Sequence, residues 1–372
     1  MGVEDPVVLE SLANLSIDPA FVLDPEHRPT RKHNDYSISG GHVPVIDLAP
    51  LRQEKSSAEE GKVEPAVEDI VTKVGQACEE WGFFQVINHG VSLELLEELQ
   101  ATAKEFFDLP IEEKRKVRRT LNNGLGYYDT ELTKNKRDWK EVFDFAVSKE
   151  FELHEGEENS SKTHNQWPSN PSRLREVCQK WSEAVERLAL QLLGLISLSL
   201  GLPATHFHQH WHGAHMSAIR LNYYPVCPHP DVVLGVSRHK DPGALTVLVQ
   251  DEVGGLEVRR KDGQWVGVQP RRDAFVINVG DAFQVWSNDK YQSIEHRVVV
   301  NENKDRFSFP LFFNPSAQTD VAPVPEILGQ ELPLYGPYNF GHFLATRSSG
   351  NYTLLGKENI QISDFAINRD ST

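Results

Sequence analysis

His239 and Asp241 are separated by one residue, Lys240. On an extended strand alternate side chains leave the same face, so an imidazole and a carboxylate at this spacing can reach one metal ion together. A third ligand type, His296, lies well downstream at the head of the apolar run 297–300, a separation that a jelly roll folds back across. Two imidazoles and a carboxylate fill one face of an octahedron and leave positions open. That set suits non-haem Fe(II) chemistry, whereas structural zinc takes a closed tetrahedral shell. In a chain with 15 histidines, an H-x-D pair taken alone is equally compatible with a structural role. Arg306-Phe307-Ser308 strengthens the metal reading. Its Arg and Ser share a strand face, and a guanidinium fork with a hydroxyl beside it suits one carboxylate of a dicarboxylate cosubstrate. The plain alternative is a surface arginine on a strand.

Elements of two kinds must position these groups. Residues 43–48 read as a first strand, and Ile70, Val74, Ala77, Cys78 and Trp81 recur at helical spacing after a charged loop at 53–64. Residues 83–88 form a second strand, 93–107 a helix that stops at Pro110, and 173–200 one long helix closed by Gly201. From Ser217 onward the texture changes to short β-rich runs at 217–224, 245–250, 256–259, 265–268, 274–279, 297–300 and 308–313. Turn formers such as Gly254-Gly255, Asp262-Gly263 and Gly280-Asp281 separate them, which predicts a sandwich or barrel. Arg220, Asn222 and Tyr224 share one face of the run that ends before Pro225. Asn and Tyr supply neutral hydrogen bonds without competing for a metal.

Composition excludes several partner classes. The chain of 372 residues carries 38 basic and 54 acidic residues, a net charge of −16, the opposite of the basic footprint that phosphate backbones or anionic membranes select. No run of residues has the length and apolarity of a transmembrane helix. The acidic N-terminus lacks a signal-peptide core, and Pro6 stands where a myristoylation signal wants Ser or Thr. Cys78, Cys178 and Cys227 are far apart with no C-x-x-C spacing, so neither a disulfide framework nor a thiolate zinc site is indicated and a cytoplasmic location is expected.

The motifs together resemble the plant 2-oxoglutarate- and Fe(II)-dependent dioxygenases, the group of flavonol synthase, anthocyanidin synthase and the gibberellin oxidases. The resemblance runs through 43–48, the segment Ala77-Cys78-Glu79-Glu80-Trp81-Gly82-Phe83-Phe84-Gln85-Val86-Ile87-Asn88-His89-Gly90, and Asn222-Tyr223-Tyr224-Pro225-Val226-Cys227-Pro228. It continues through 243–248, 254–258 and the H-x-D, H, R-x-S set, covering nearly all of 43–345. It implies a mixed α/β, mainly β fold: a double-stranded β-helix (jelly-roll) core with flanking helices and an α/β N-terminal region. The expected division is an N-terminal arm at 1–42, an N-terminal dioxygenase region at 43–165, and the jelly-roll domain with its supporting helix and C-terminal segment at 166–372. By the same resemblance His239, Asp241 and His296 hold Fe(II), Asn222, Tyr224, Arg306 and Ser308 bind 2-oxoglutarate, O2 is the oxidant, and ascorbate serves as reductant. Lys240 departs from the Thr or Ser usual between the first two ligands; strand alternation turns it away from the metal. His89, in a turn with Gly90, is expected to pack or cap.

The implied activity is hydroxylation, demethylation or desaturation of a small plant metabolite of aromatic or polycyclic character, with release of succinate and CO2. A hormone oxidase of gibberellin or auxin type is the alternative. An ascorbate-dependent oxidase without 2-oxoglutarate and a non-catalytic jelly-roll binding protein are two further readings. Strand parity offers Arg220, Phe312 and Asn314 as substrate contacts and Phe143 as an apolar wall. An ion pair for Arg220 and a core position for Phe143 are the competing expectations. A monomer is expected, with the helix-like stretch after Pro337 closing the pocket or capping the barrel.

Overall fold

The computed structural model describes residues 17–29, 41–52, 65–120, 123–148, 150–154, 160–350 and 359–367. The chain enters the fold by alternating strand and helix, as expected: β1 (Val45–Asp47), α1 (Pro65–Glu80), β2 (Phe83–Ile87) and α2 (Leu93–Phe107). Ser92 starts α2 by accepting the Leu95 amide on its hydroxyl at 3.2 Å, which satisfies one donor the helix leaves open. β3 (Gly126–Tyr128), β4 (Glu141–Ala146) and the long α3 (Leu174–Ser199) follow. In α3 the buried residues Val177, Trp181, Val185, Leu188, Leu192 and Ile196 form one stripe, the face a surface helix must cover.

The remainder is mostly strand: β5 (Ala218–Tyr224), β6 (Leu234–His239), β7 (Leu245–Gln250), β8 (Leu256–Arg259), β9 (Trp265–Gly267) and β10 (Ala274–Val279). Then come the short helix α4 (Asp281–Trp286), β11 (His296–Val299), β12 (Arg306–Phe313) and the C-terminal helix α5 (Phe340–Ser349). Eight strands form one sheet in the order β1-β2-β10-β7-β12-β5-β4-β3, and four form a second in the order β6-β11-β8-β9. These two sheets are the jelly roll.

The faces of the large sheet have different jobs. Residues directly opposite in an antiparallel ladder share a face, so the register pairs Phe143 with Leu221, Val247 with Ile277 and with Leu311, and Phe275 with Val86 on one side. These residues join the α1, α2 and α3 stripes in one apolar cluster, where Trp181 stacks on Phe275 at 5.8 Å. The other side carries Arg220, Asn222, Thr246, Asn278 and Ser308, paired in the same registers and turned toward the smaller sheet. A second apolar cluster, including Phe83, Tyr224, Val236, Leu256, Val276 and Val298, fills the space between the sheets.

The structure adds what the residue pattern did not show. β6 breaks its alternation with a bulge, since Val236 opposes Val298 but His239 opposes His296, and α4 is one short turn inside a β-rich stretch. Asp241 lies beyond the end of β6 rather than on it. The described part of the N-terminal arm is anchored: Val22 and Leu23 are buried, and the Leu23 amide donates to Val232 O at 3.0 Å. The charged loop at 53–64 and the rest of the arm lie outside the described residues. Among the described residues no helix is long and apolar enough to cross a membrane. All three cysteines are buried and free.

Candidate active site

The ends of β6 and β11 bring the two histidines together. Their ring centroids are 4.2 Å apart. His239 Nδ1 lies 2.9 Å from Ser237 O and His296 Nδ1 lies 3.2 Å from Ile294 O. A carbonyl can only accept, so both Nδ1 atoms carry the proton and both Nε2 atoms present a lone pair. Those atoms face Asp241 Oδ1 at 3.7 and 3.6 Å. The other carboxylate oxygen, Oδ2, is held by Thr246 Oγ1 at 2.6 Å from β7 and by Asn278 Nδ2 at 2.7 Å from β10. Three acceptor atoms within 4.8 Å of one another, with no proton donor among them, form a set that a cation completes.

The backbone makes this approach possible at Gly280. A Cβ there would stand 2.3 Å from Gly243 O and 2.9 Å from Asp241 O, so only glycine lets α4 begin against the Asp241 loop. The Asp281 amide then donates to Asp241 O at 2.8 Å. Electrostatics favour the ligand forms. Desolvation, and after it the neighbouring His296, push the His239 imidazole down to about 3, and a neutral imidazole is what metal ligation requires. Burial by itself would raise the Asp241 carboxyl. His296, His239 and the hydrogen bonds from Thr246 and Asn278 outweigh it and hold the group below the usual range.

Beside the triad, on the inner face of the large sheet, Arg306 and Ser308 are each 2% exposed. Arg306 donates to Ser308 Oγ at 3.2 Å and to Gln250 Oε1 at 2.9 Å, and its guanidinium lies 4.8 Å from the Tyr224 ring. Asn222 Nδ2 reaches Ser308 Oγ at 3.4 Å. Arg306 Nε, Asn222 Oδ1 and Gln250 Nε2 are buried without hydrogen-bond partners, and among the described residues no carboxylate pairs with Arg306. A buried cation with no ion-pair partner, its own Nε–H and the Gln250 amide hydrogens unspent, is suited to receive a carboxylate.

Of the four residues expected at the substrate, two lie on the inner face. Phe312 opposes Thr246 across the β7–β12 ladder and stands 5.9 Å from the Arg220 guanidinium. Arg220 points inward too, but Asp144 binds it through Nε at 2.7 Å and Nη2 at 2.8 Å, and Glu131 binds Nη1 at 2.8 Å. Asn314 is just past β12, with Nδ2 on Met216 O at 3.2 Å and its other side against Gly243. Phe143 is a correction. It is fully buried on the opposite face, 5.0 Å from Phe106 and 5.8 Å from Trp167, because β4 turns its odd-numbered residues toward the helices. His89 accepts the Val91 amide and packs on Phe275, a capping and packing role. Thr246, Asn278 and Gln250 were not foreseen. Asn278 and Gln250 sit on strands remote in sequence from the groups they contact, where only the ladder register shows the contact, and Thr246, five residues from Asp241, is turned to it by the bend between them.

Residues 215–315 match the 2OG-Fe(II) oxygenase superfamily. Residues 43–170 match the N-terminal region described as non-haem dioxygenase in morphine synthesis. The chain is 36% identical to jasmonate-induced oxygenase 1 of Arabidopsis thaliana over 93% of its own length and 84% of that protein. It is 31% identical to flavanone 3-dioxygenase of Petroselinum crispum, over 92% of this chain and 89% of the relative. The crystal structure of JOX2 in complex with 2OG, Fe and JA superposes with a TM-score of 0.72 at 31% identity, covering 90% of this chain and 91% of the other.

Proposed function

We propose, on the premise that this chain belongs to the 2OG-Fe(II) oxygenase superfamily, that His239, Asp241 and His296 are its iron ligands and that Arg306 and Ser308, with Asn222 and Tyr224, hold 2-oxoglutarate. The observation that carries this reading is the buried Arg306, hydrogen-bonded to no carboxylate among the described residues, on the same sheet face as Thr246 and Asn278, which orient Asp241. Iron and 2-oxoglutarate, when bound, turn O2 into an oxidant while the cosubstrate becomes succinate and CO2. The protein's own contribution is placement. Thr246 and Asn278 fix which Asp241 oxygen faces the metal, the Ser237 and Ile294 carbonyls fix which imidazole nitrogen does, and Ser308, accepting from Arg306 and Asn222, keeps its O–H free to donate to a carboxylate.

The substrate on this reading is a small plant metabolite undergoing hydroxylation, demethylation or desaturation, as the relative named flavanone 3-dioxygenase suggests. A specific feature favours an acid-bearing substrate within that class. The Lys134 ammonium is depressed by burial and then by Arg238, Arg347 and Lys240 around it. Arg347 of α5 is close enough to Asp241 to feel its charge. Glu295, paired with Arg238 at 2.7 Å, and Asp281 and Asp364, whose charges Arg347 feels, offset part of this, and the remaining excess of cations favours an anion. A monomer acting in the cytoplasm fits a site built wholly from one chain and three buried free thiols.

Anaerobic addition of Fe(II) and then 2-oxoglutarate tests the site. A weak visible charge-transfer band should form in the wild type and fail in His239→Ala and Arg306→Ala. An unchanged band in Arg306→Ala would remove the cosubstrate assignment. Succinate release with a panel of acids and their methyl esters tests the rim; equal turnover of acid and ester would dispose of the acid-bearing class.

A further inference from the structure

We propose that Asp138 is a positioning residue for the metal site, acting on His239 through the backbone of Ser237. The proposal rests on the assignment of His239 as a metal ligand.

The bulge in β6 creates the need for it. Val236 opposes Val298, while His239, three residues on, opposes His296, only two residues back along β11. An extra residue in one strand leaves a backbone group unpaired, bends the strand and changes which face the following side chain takes. His239 reaches the His296 side of the sheet because of that extra residue. Regular alternation from Val236 would turn it the other way. The bulge therefore aims the ligand, and something must hold the bulge.

Asp138 does so from outside the sheet. Its Oδ1 accepts the Ser237 amide at 3.2 Å, and Ser237 O in turn accepts His239 Nδ1–H at 2.9 Å. One residue, through the amide of the Val236–Ser237 peptide and the carbonyl of the Ser237–Arg238 peptide, thus connects the carboxylate to the ring whose Nε2 faces Asp241. Asp138 is itself fixed. Thr133 Oγ1 donates to its Oδ2 at 2.7 Å, Lys140 Nζ stands 3.2 Å away, and the next residue's amide, Trp139 N, binds Leu234 O at 3.0 Å at the start of β6. Lys140 also pairs with Glu131 at 2.6 Å, and Glu131 pairs with Arg119 and Arg220. The Asp138 side chain has no solvent exposure and that of Lys140 only 4%. Buried ion pairs of this kind add little stability over apolar packing and are best attested as devices that fix a register. Here the register fixed is that of the strand carrying a ligand. Groups that orient a metal-binding histidine through its second nitrogen set metal affinity along with the ligands themselves.

The test is anaerobic titration of the apoprotein with Mn(II) and Co(II), reading dissociation constants and the Co(II) visible spectrum, with circular dichroism as the check on folding. Asp138→Ala is expected to keep the fold and weaken metal binding by roughly 10- to 100-fold. Thr133→Val, which frees one side of the carboxylate and leaves the ion pairs in place, should weaken it by roughly 3-fold, a lesser share of the same effect. His239→Ala marks the floor. Folded Asp138→Ala with wild-type affinity and an unchanged Co(II) spectrum would overturn the proposal. If Asp138→Ala does not fold, Thr133→Val decides: weakened binding supports the relay and unaltered binding refutes it. Wild-type protein that binds metal no better than His239→Ala would instead strike the ligand assignment, and the proposal with it.

Discussion

Arg306 is an always-charged group kept at 2% exposure, and a charge so placed is costly unless a partner of opposite sign arrives. Its hydrogen-bond partners Gln250 and Ser308 are neutral and Asp251 feels its charge without pairing with it, which on the proposed function leaves the pairing to the cosubstrate carboxylate. Arg306→Lys keeps the charge but loses the two-pronged geometry. Steady-state kinetics should show KM for 2-oxoglutarate raised roughly 30- to 100-fold, the loss of about 2–3 kcal/mol of charge-assisted hydrogen bonding, with KM for the organic substrate nearly unchanged. A KM within a factor of three of wild type would contradict the receptor role. Asp138 illustrates the opposite case, a carboxyl whose burial, opposed by Lys140, pushes it up from 3.8 to about 6. Between these values the folded chain binds the extra proton. The contribution to stability is therefore complete below about pH 4 and is lost as pH rises through about 6. Denaturant unfolding of the apoprotein from pH 4 to 7 should show Asp138→Asn losing this part of the slope, a difference of roughly 2–3 kcal/mol across the window. Parallel wild-type and variant curves would count against the raised value.

At the scale of elements, the two faces of the large sheet separate packing from chemistry, and Phe143 tests that division. It packs among Phe106, Phe145 and Trp167 on the helix side. Phe143→Ala should lower unfolding free energy by about 3–5 kcal/mol and leave substrate KM alone; a KM change without a stability change would place the ring at the pocket after all. The same division explains what could be read from the sequence. β7 and β10 begin and end where expected because both their faces are covered and their runs are largely apolar, and β8 because Leu256-Glu257-Val258-Arg259 alternates after the Gly254-Gly255 turn. β6 escaped notice because Gly235, Ser237 and Arg238 interrupt its run, and its bulge has no signal in a single strand's residues. The triad was legible from residue types and spacing. The parity argument placed His239 and Asp241 together, as the structure does, but by a different route, since Asp241 stands past the strand end and Gly280 and α4 bring it in. Asn278 and Asp138 were invisible because their partners are set by a long-range fold and a cross-strand loop, and Thr246, five residues from Asp241, because the bend between them decides the contact.

At the scale of the whole molecule, the expected division near residue 165 meets a sheet that crosses it. β4 pairs with β5 along its full length, from Glu141–Tyr223 to Ala146–Ala218, and β2 pairs with β10 from Phe83–Asn278 to Ile87–Ala274. Removing residues 1–165 would strip both neighbours at once and leave β5 and β10 as long open edges, which pair with other chains. It would also uncover the apolar outer face where α1 and α2 pack beside α3, and remove Asp138 from Ser237 and Asp144 from Arg220. The two regions are on this argument one folding unit. A 166–372 fragment should be found in the insoluble fraction or, when refolded, as large aggregates by light scattering, without a cooperative thermal transition. Co-expression with a separate 1–165 chain should restore solubility if the pairings are strong enough to form between chains. A fragment that is monomeric, melts cooperatively and titrates Co(II) with wild-type affinity would show that the eight strands β5 to β12 and α3 suffice. β1 to β4 would then be an added layer, and a boundary near 165 would mark a true domain.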